Sequence, residues 1–167
     1  LIERGNVVEE LPIIYEDGTA KSTRTRSYVK VQDGCNNFCS YCIIPYLRGR
    51  SRSRSKQSVL DEINALSGVK EVVITGIDLS DYGNGIDESL TSLMDSLKDV
   101  DLRIRLGSLE VNVITRELLT ALKSLKAFCP SFHLSLQTGE DSVLKSMNRH
   151  YTTEQYYSKI QLIREYF

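Results

Sequence analysis

The chain of 167 residues reads as an α/β protein built on a parallel sheet. Two observations predict this. Short β-branched or alternating runs take turns with stretches whose apolar residues recur at helical spacing, the pattern of successive βα units with right-handed crossovers. The chemically suggestive residues also fall just after those runs, at the carboxyl ends of strands, where parallel α/β folds carry their ligands.

The elements follow in order. Residues 1–27 read as a connector; Leu11-Pro12-Ile13-Ile14-Tyr15 is a candidate strand and Asp17-Gly18 a turn signal. Tyr28–Gln32 alternates in polarity and reads as the first strand, leading into a cysteine-bearing loop. Val59, Leu60, Ile63 and Leu66 predict a helix, with Ser58 as its N-cap and Gly68 as its stop. Glu71–Thr75 is a β-branched run closed by Gly76, a buried strand. Leu90, Leu93, Met94 and Leu97 form the next helical stripe, and Leu102–Leu106 a third strand. Thr115 caps a helix carrying Leu118, Leu119, Leu122 and Leu125; Phe132–Leu136 reads as a fourth strand. A short helix over 143–147 comes next. The last helix opens on the capping box Thr152-x-x-Gln155 and turns Tyr156, Ile160, Ile163 and Phe167 inward.

Composition excludes several classes. No apolar stretch approaches the roughly 20 residues of a membrane span, and no signal peptide is visible. Four cysteines in a chain of this size do not suggest a secreted disulfide framework, so a reducing cytoplasm is the expected compartment. The charge is unevenly spread. Between Lys21 and Lys56 there are nine basic residues against one acid, Asp33, and the remainder is net acidic. Arg48, Arg50, Arg52 and Arg54 alternate, so in an extended segment all four would share a face. Arginine suits phosphate through its planar fork, which makes these four candidate RNA contacts, with Tyr46 for base stacking.

The densest chemical signal is Cys35, Cys39 and Cys42, spaced C-x3-C-x2-C with no fourth ligand nearby. Structural zinc wants four protein ligands. Three thiolates on one loop suit a [4Fe-4S] cube with one iron left open. Gly34 gives freedom at the loop entry, and Asn36 and Asn37 are candidate donors to sulfur. Cys129, alone before Pro130, reads as a buried small hydrophobe. A rival reading makes it the fourth thiolate of a zinc or nucleic-acid-binding module, although it falls at the far end of the sheet.

Tyr41 just before the last cysteine of this spacing resembles the signature of the radical S-adenosylmethionine (SAM) enzymes. Val29–Cys39, Ile43-Ile44-Pro45-Tyr46, Arg48-Gly49, Ser108-Leu109-Glu110, His133–Gly139 and Met147–Thr152 are similar to their methylthiotransferase branch. Thr75-Gly76-Ile77 with Tyr82-Gly83 most resembles the branch acting on threonylcarbamoyladenosine in tRNA. The resemblance implies a partial (βα)6 barrel of which residues 28–167 form about four βα units. It also implies an auxiliary-cluster domain before this segment and an RNA-binding domain after it. It implies a [4Fe-4S] cluster on Cys35, Cys39 and Cys42 and SAM on the open iron. Tyr41, Thr75, Gly76, Glu110, Gln137 and Arg149 would contact that SAM. The implied activity is methylthiolation of C2 of N6-threonylcarbamoyladenosine at position 37 of tRNA. Alternative substrates are another tRNA adenosine or a ribosomal protein side chain. The implied partners are tRNA and an electron donor such as flavodoxin or ferredoxin. An unfinished parallel sheet is expected to leave an open edge through which copies self-associate.

Overall fold

The structure is a computed structural model and describes residues 25–167. The Leu11–Tyr15 strand, the Asp17-Gly18 turn and the expected connector up to residue 24 lie outside that range. In chain order the elements are β1 (Arg26–Asp33), α1 (Ile44–Arg48), β2 (Arg52–Ser53), α2 (Lys56–Ala65), β3 (Glu71–Gly76), α3 (Leu90–Ser96), β4 (Arg103–Leu106), β5 (Ser108–Leu109), α4 (Arg116–Ser124), β6 (His133–Leu134), α5 (Asp141–Ser146) and α6 (Thr153–Tyr166).

The main sheet has the order β2-β1-β3-β4. β1 pairs in parallel with β3, and β3 with β4, while the short β2 lies antiparallel on the outer side of β1. The result is a curled, open half barrel. β1 alternates between exposed and buried up to Lys30, then buries Val31, Gln32 and Asp33 in succession. The register against β3 shifts between Lys30 and Gln32. A bulge re-aims the side chains that follow it, and this one turns two polar side chains into the protein where the cysteine loop begins.

The helical stripes do what their spacing predicts. Leu90, Leu93 and Met94 of α3 and Leu118, Leu119 and Leu122 of α4 are buried, and the two helices pack together beside β3 and β4. Each fully buried side chain of this size contributes roughly 1.5–3 kcal/mol. Thr115 caps α4 by accepting from Leu118 N, and Thr152 and Gln155 form the expected capping box on α6.

Several expectations are corrected. α2 is capped by Ser55, whose side chain accepts from Ser58 N, because the helix starts a turn earlier than its apolar stripe. It ends at Ala65, with Leu66 as its C-cap, before Gly68. The fourth strand shrinks to His133–Leu134 and pairs with β5 instead of extending the β4 ladder. Its preceding segment pairs with β4 at a single backbone bridge, Ile104–Phe128. Pro130 has no N–H to give a ladder, and Ser131 N turns back onto Cys129 O at 2.7 Å. On α6 only Ile163 is buried; Phe167 is 43% exposed and leans on Phe128 and Phe132.

The arginine series is not one extended face. Arg48 ends α1, Gly49 breaks direction, and only Arg52 belongs to a strand. Arg52 pairs with Asp33 at 3.0 Å, and Arg54 is buried against Glu62. Arg50 lies over the Phe38 ring at 4.4 Å. Among the described residues no helix is long and apolar enough to cross a membrane.

Candidate functional site

The site lies at the carboxyl ends of β1, β3, β5 and β6. Gly34 opens the cysteine loop with φ +74°, and a Cβ there would lie 2.1 Å from Arg50 O. Only glycine fits so close a crossing in that backbone region. Cys35 N donates to Gly49 O at 3.2 Å, which ties the loop to the turn after α1. Phe38 has φ 48° and Cys42 N donates to Cys39 O at 2.9 Å, so the loop doubles back between its second and third cysteines. The segment before α6 braces it from the far side. Asn148 Nδ2 donates to Asn37 O and Phe38 O at 2.9 and 3.1 Å, and Ser40 N donates to Met147 O at 3.1 Å.

This folding brings Cys35, Cys39 and Cys42, all free thiols, into the wall of one cavity of about 200 Å³. Tyr41, Ile77, Asp78, Glu110, Gln137 and Arg149 line the same cavity. A second cavity of about 290 Å³ shares Asn37, Asp78, Glu110 and Arg149 as a common wall. Among the described residues, no group of three or more His, Cys, Asp or Glu side chains is placed to hold a single metal ion. The four-thiolate zinc reading fails on Cys129, which does not line the cavity shared by Cys35, Cys39 and Cys42. Cys129 is buried elsewhere, against Arg103 Nη2 at 3.1 Å, where β4 begins. A cube bonds each thiolate to a different iron, so it needs the three thiols spread around one cavity rather than converging on one point.

Two groups that sequence reasoning missed organise the rim. Gln32 is fully buried. Its Nε2 donates to Asp33 O, Gly34 O and Ser51 Oγ at 3.0, 2.8 and 2.9 Å, and its Oε1 accepts from Asp78 N at 2.8 Å. It joins the end of β1, the loop entry, the segment entering β2 and the turn after β3. Asp78, 8% exposed, accepts from Asn37 Nδ2 at 2.8 Å and faces the Cys35 thiol at 3.6 Å. Burial, then the nearby Glu110 and Asp81, pushes its carboxyl up to about 6. Burial, with Asp78 close by, pushes the Cys35 thiol up to about 11. Such a thiol stays protonated until a cation arrives, and bound metal reverses that preference. Gln32 followed the polarity alternation of its strand and lay inside the Val29–Cys39 stretch without standing out from it; Asp78 immediately follows the Thr75-Gly76-Ile77 motif.

The other expected residues divide. Tyr41 and Gln137 are exposed and reach the cavity. Glu110 and Arg149 reach it as an ion pair. Thr75 and Gly76 are not in its wall; Ile77 and Asp78 take that place. Gly76 is required for packing, since a Cβ there would come within 2.8 Å of Gln32 Oε1. Asn37 reaches sulfur through its backbone, N to Cys35 Sγ at 3.5 Å, while its side chain goes to Asp78. Asn36 instead bonds Asp81 and Ser51. Arg149 Nη1 donates to Cys39 Sγ at 3.3 Å, and its buried Nε has no partner. Three free thiols around one cavity, with an unused guanidinium donor beside them, fit an anionic iron-sulfur group.

Residues 29–167 match the Radical SAM superfamily. The chain belongs to that superfamily, whose members use a [4Fe-4S] cluster and SAM. Over 145 residues it is 46% identical to the threonylcarbamoyladenosine tRNA methylthiotransferase MtaB of Chlamydia pneumoniae, covering 84% of this chain and 34% of that protein. Over 166 residues it is 39% identical to the tRNA-2-methylthio-N(6)-dimethylallyladenosine synthase of Pelotomaculum thermopropionicum, covering 96% of this chain and 36% of that protein. The chain thus spans about a third of the length of these relatives. Among solved structures, the radical SAM methyltransferase TsrM of Kitasatospora setae, with cobalamin and a [4Fe-4S] cluster bound, superposes with a TM-score of 0.68 at 18% identity, over 84% of this chain and 29% of that one. The cobalamin-dependent SAM radical enzyme OxsB gives 0.66 at 14% identity, over 81% of this chain and 22% of that one. These two likenesses show the half-barrel fold.

Proposed function

We propose that the chain is the cluster-bearing part of a radical SAM tRNA methylthiotransferase acting at C2 of N6-threonylcarbamoyladenosine, position 37. One observation carries the reading: Cys35, Cys39 and Cys42 line a single cavity together with Glu110 and Arg149. The three thiolates would hold three irons and leave the fourth for SAM. When bound, the cluster and SAM supply the one-electron chemistry. The chain's own residues hold and orient. Gln32 and Asn148 fix the loop, Asp78 and Glu110 offer carboxylates to ammonium or hydroxyl hydrogens of SAM, and Tyr41 and Gln137 flank the cavity mouth. Thr75 and Gly76 act from behind the wall, through backbone position.

The 46% identity to a threonylcarbamoyladenosine enzyme supports that substrate. The 39% identity to a dimethylallyladenosine enzyme supports a second reading, in which the base is another tRNA adenosine. Arg48 and Arg50 are exposed beside the loop, and with Tyr46, 64% exposed, they form the RNA-facing part of this reading. Arg52 and Arg54 support it structurally through Asp33 and Glu62. The further expectations belong to the same proposal: a cytoplasmic protein, a flavodoxin- or ferredoxin-type donor, flanking auxiliary-cluster and RNA-binding domains, and pairing of copies through the open β6 edge. Nucleoside mass spectrometry of tRNA from a strain lacking the full-length gene tests it. The expected result is loss of the methylthio group from threonylcarbamoyladenosine alone. Loss from dimethylallyladenosine instead favours the second reading, and no change in either contradicts both.

A further inference from the structure

We propose that Arg149 is a positioning residue whose charge makes the cluster easier to reduce, and that Glu110 limits how strongly it does so. This rests on the reading that Cys35, Cys39 and Cys42 hold an iron-sulfur cluster. Arg149 is fixed and nearly enclosed, its side chain 5% exposed. Nη1 donates to Cys39 Sγ at 3.3 Å. Nη2 donates to the Glu110 carboxylate and, at 3.4 Å each, to Ser135 O and Tyr151 Oη. The guanidinium also lies 5.2 Å from the Tyr151 ring centroid. Tyr151 is itself held by Ser135 O and Leu136 O at 2.6 and 2.8 Å, so the arginine has little freedom to swing away.

The charge inventory gives this contact its meaning. Among the described residues lining the two cavities, Arg149 is the only arginine or lysine, facing Asp78, Asp81 and Glu110. A guanidinium stays protonated in proteins, so Arg149 is a fixed cation here. A cluster that accepts one electron from a low-potential one-electron donor gains one negative charge. A buried cation against one of its thiolates favours the reduced form, and hydrogen bonds to sulfur act in the same direction. Solvent ions screen so enclosed a charge weakly. Glu110 offsets part of the cationic field, so neutralising Glu110 has the opposite effect to neutralising Arg149.

The test is an EPR-monitored redox titration of the anaerobically reconstituted chain, without SAM, for wild type, Arg149→Met, Arg149→Lys and Glu110→Gln. Arg149→Met is expected to lower the midpoint by at least a tenfold change in the reduced-to-oxidised ratio, ~59 mV for one electron. Arg149→Lys is expected to fall between Arg149→Met and wild type, and Glu110→Gln above wild type. A purely structural arginine would not give shifts of opposite sign. The inference is overturned if Arg149→Met titrates at or above wild type, or Glu110→Gln at or below it. If Arg149→Met loads no cluster, Glu110→Gln decides by the same criterion. A wild-type chain that loads no iron overturns the cluster reading itself, a different result from a loaded cluster whose potential ignores both substitutions.

Discussion

The two ends of the same sheet solve opposite electrostatic problems. At the amino end the buried Glu71 is surrounded by Arg26, Arg103 and Arg105, and the lone Cys129 is covered by Arg103. At the carboxyl end the proportions invert: Asp78, Asp81 and Glu110 line the cavities with a single arginine, which pairs with Glu110 alone, three cysteines carry free thiols, and a buried guanidinium nitrogen has no partner. The Glu71 carboxylate at the first end is met by three arginines, although the buried Ser27 Oγ nearby has no partner. The second end keeps carboxyl and thiol groups displaced from their usual pKa, the pattern of a site arranged for a ligand rather than for stability.

The largest expected effect compares cysteines across the two ends. Cys35→Ala, Cys39→Ala or Cys42→Ala should abolish iron loading, while Cys129→Ala should retain it, measured by metal analysis after anaerobic reconstitution. Equal losses would erase the contrast. Next comes the backbone. Gly34→Ala meets both a left-handed φ and a 2.1 Å approach to Arg50 O, whereas Gly68→Ala, φ +71°, meets open space. Handedness alone costs about 1–2 kcal/mol. Urea denaturation should show that cost for Gly68→Ala and a larger one for Gly34→Ala, with iron loading lost only in the latter.

A pH-resolved comparison of the iron-free chain is sharper still. Burial, with Glu110 and Asp81 nearby, holds the Asp78 carboxyl at about 6 in the folded chain, against 3.8 for an ordinary aspartate. The folded state holds the extra proton, so this group's stabilising contribution is complete below about pH 4 and is lost as pH rises through 6. Asp78→Asn should remove that slope and gain up to about 3 kcal/mol above pH 6. An unchanged slope would show that Asp78 is not the group responsible. The smallest effect belongs to the amino end. Glu71→Gln should cost about 1 kcal/mol, since its arginines remain partly in solvent, and leave iron loading intact. A loss of iron there would mean that the two ends are coupled.

Periodicity made the scaffold legible, because α3, α4, β1 and β3 are fixed by apolar residues whose spacing alone dictates which face is buried. It failed where tertiary contacts choose. Period two in the arginine series suggested a strand, yet a helix end and a glycine turn send those side chains to separate partners, Asp33 and Glu62 among them. Pro130 broke the fourth strand into a bridge and a two-residue ladder. At the site, the cysteines and Glu110 stood out by spacing and by strand-end position. Gln32 did not, because a bulge rather than its neighbours in sequence turns it inward. Arg149 was visible as a motif residue, but its role depends on contacts with Cys39 and Glu110 that no local pattern encodes.

The most direct measurement is the EPR spectrum of the reconstituted, dithionite-reduced chain before and after addition of SAM. A cube held by three thiolates, with one iron free, predicts a reduced-cluster signal whose g-values change when SAM is added. A signal indifferent to SAM, or a chain that takes up zinc and gives no signal, would contradict it.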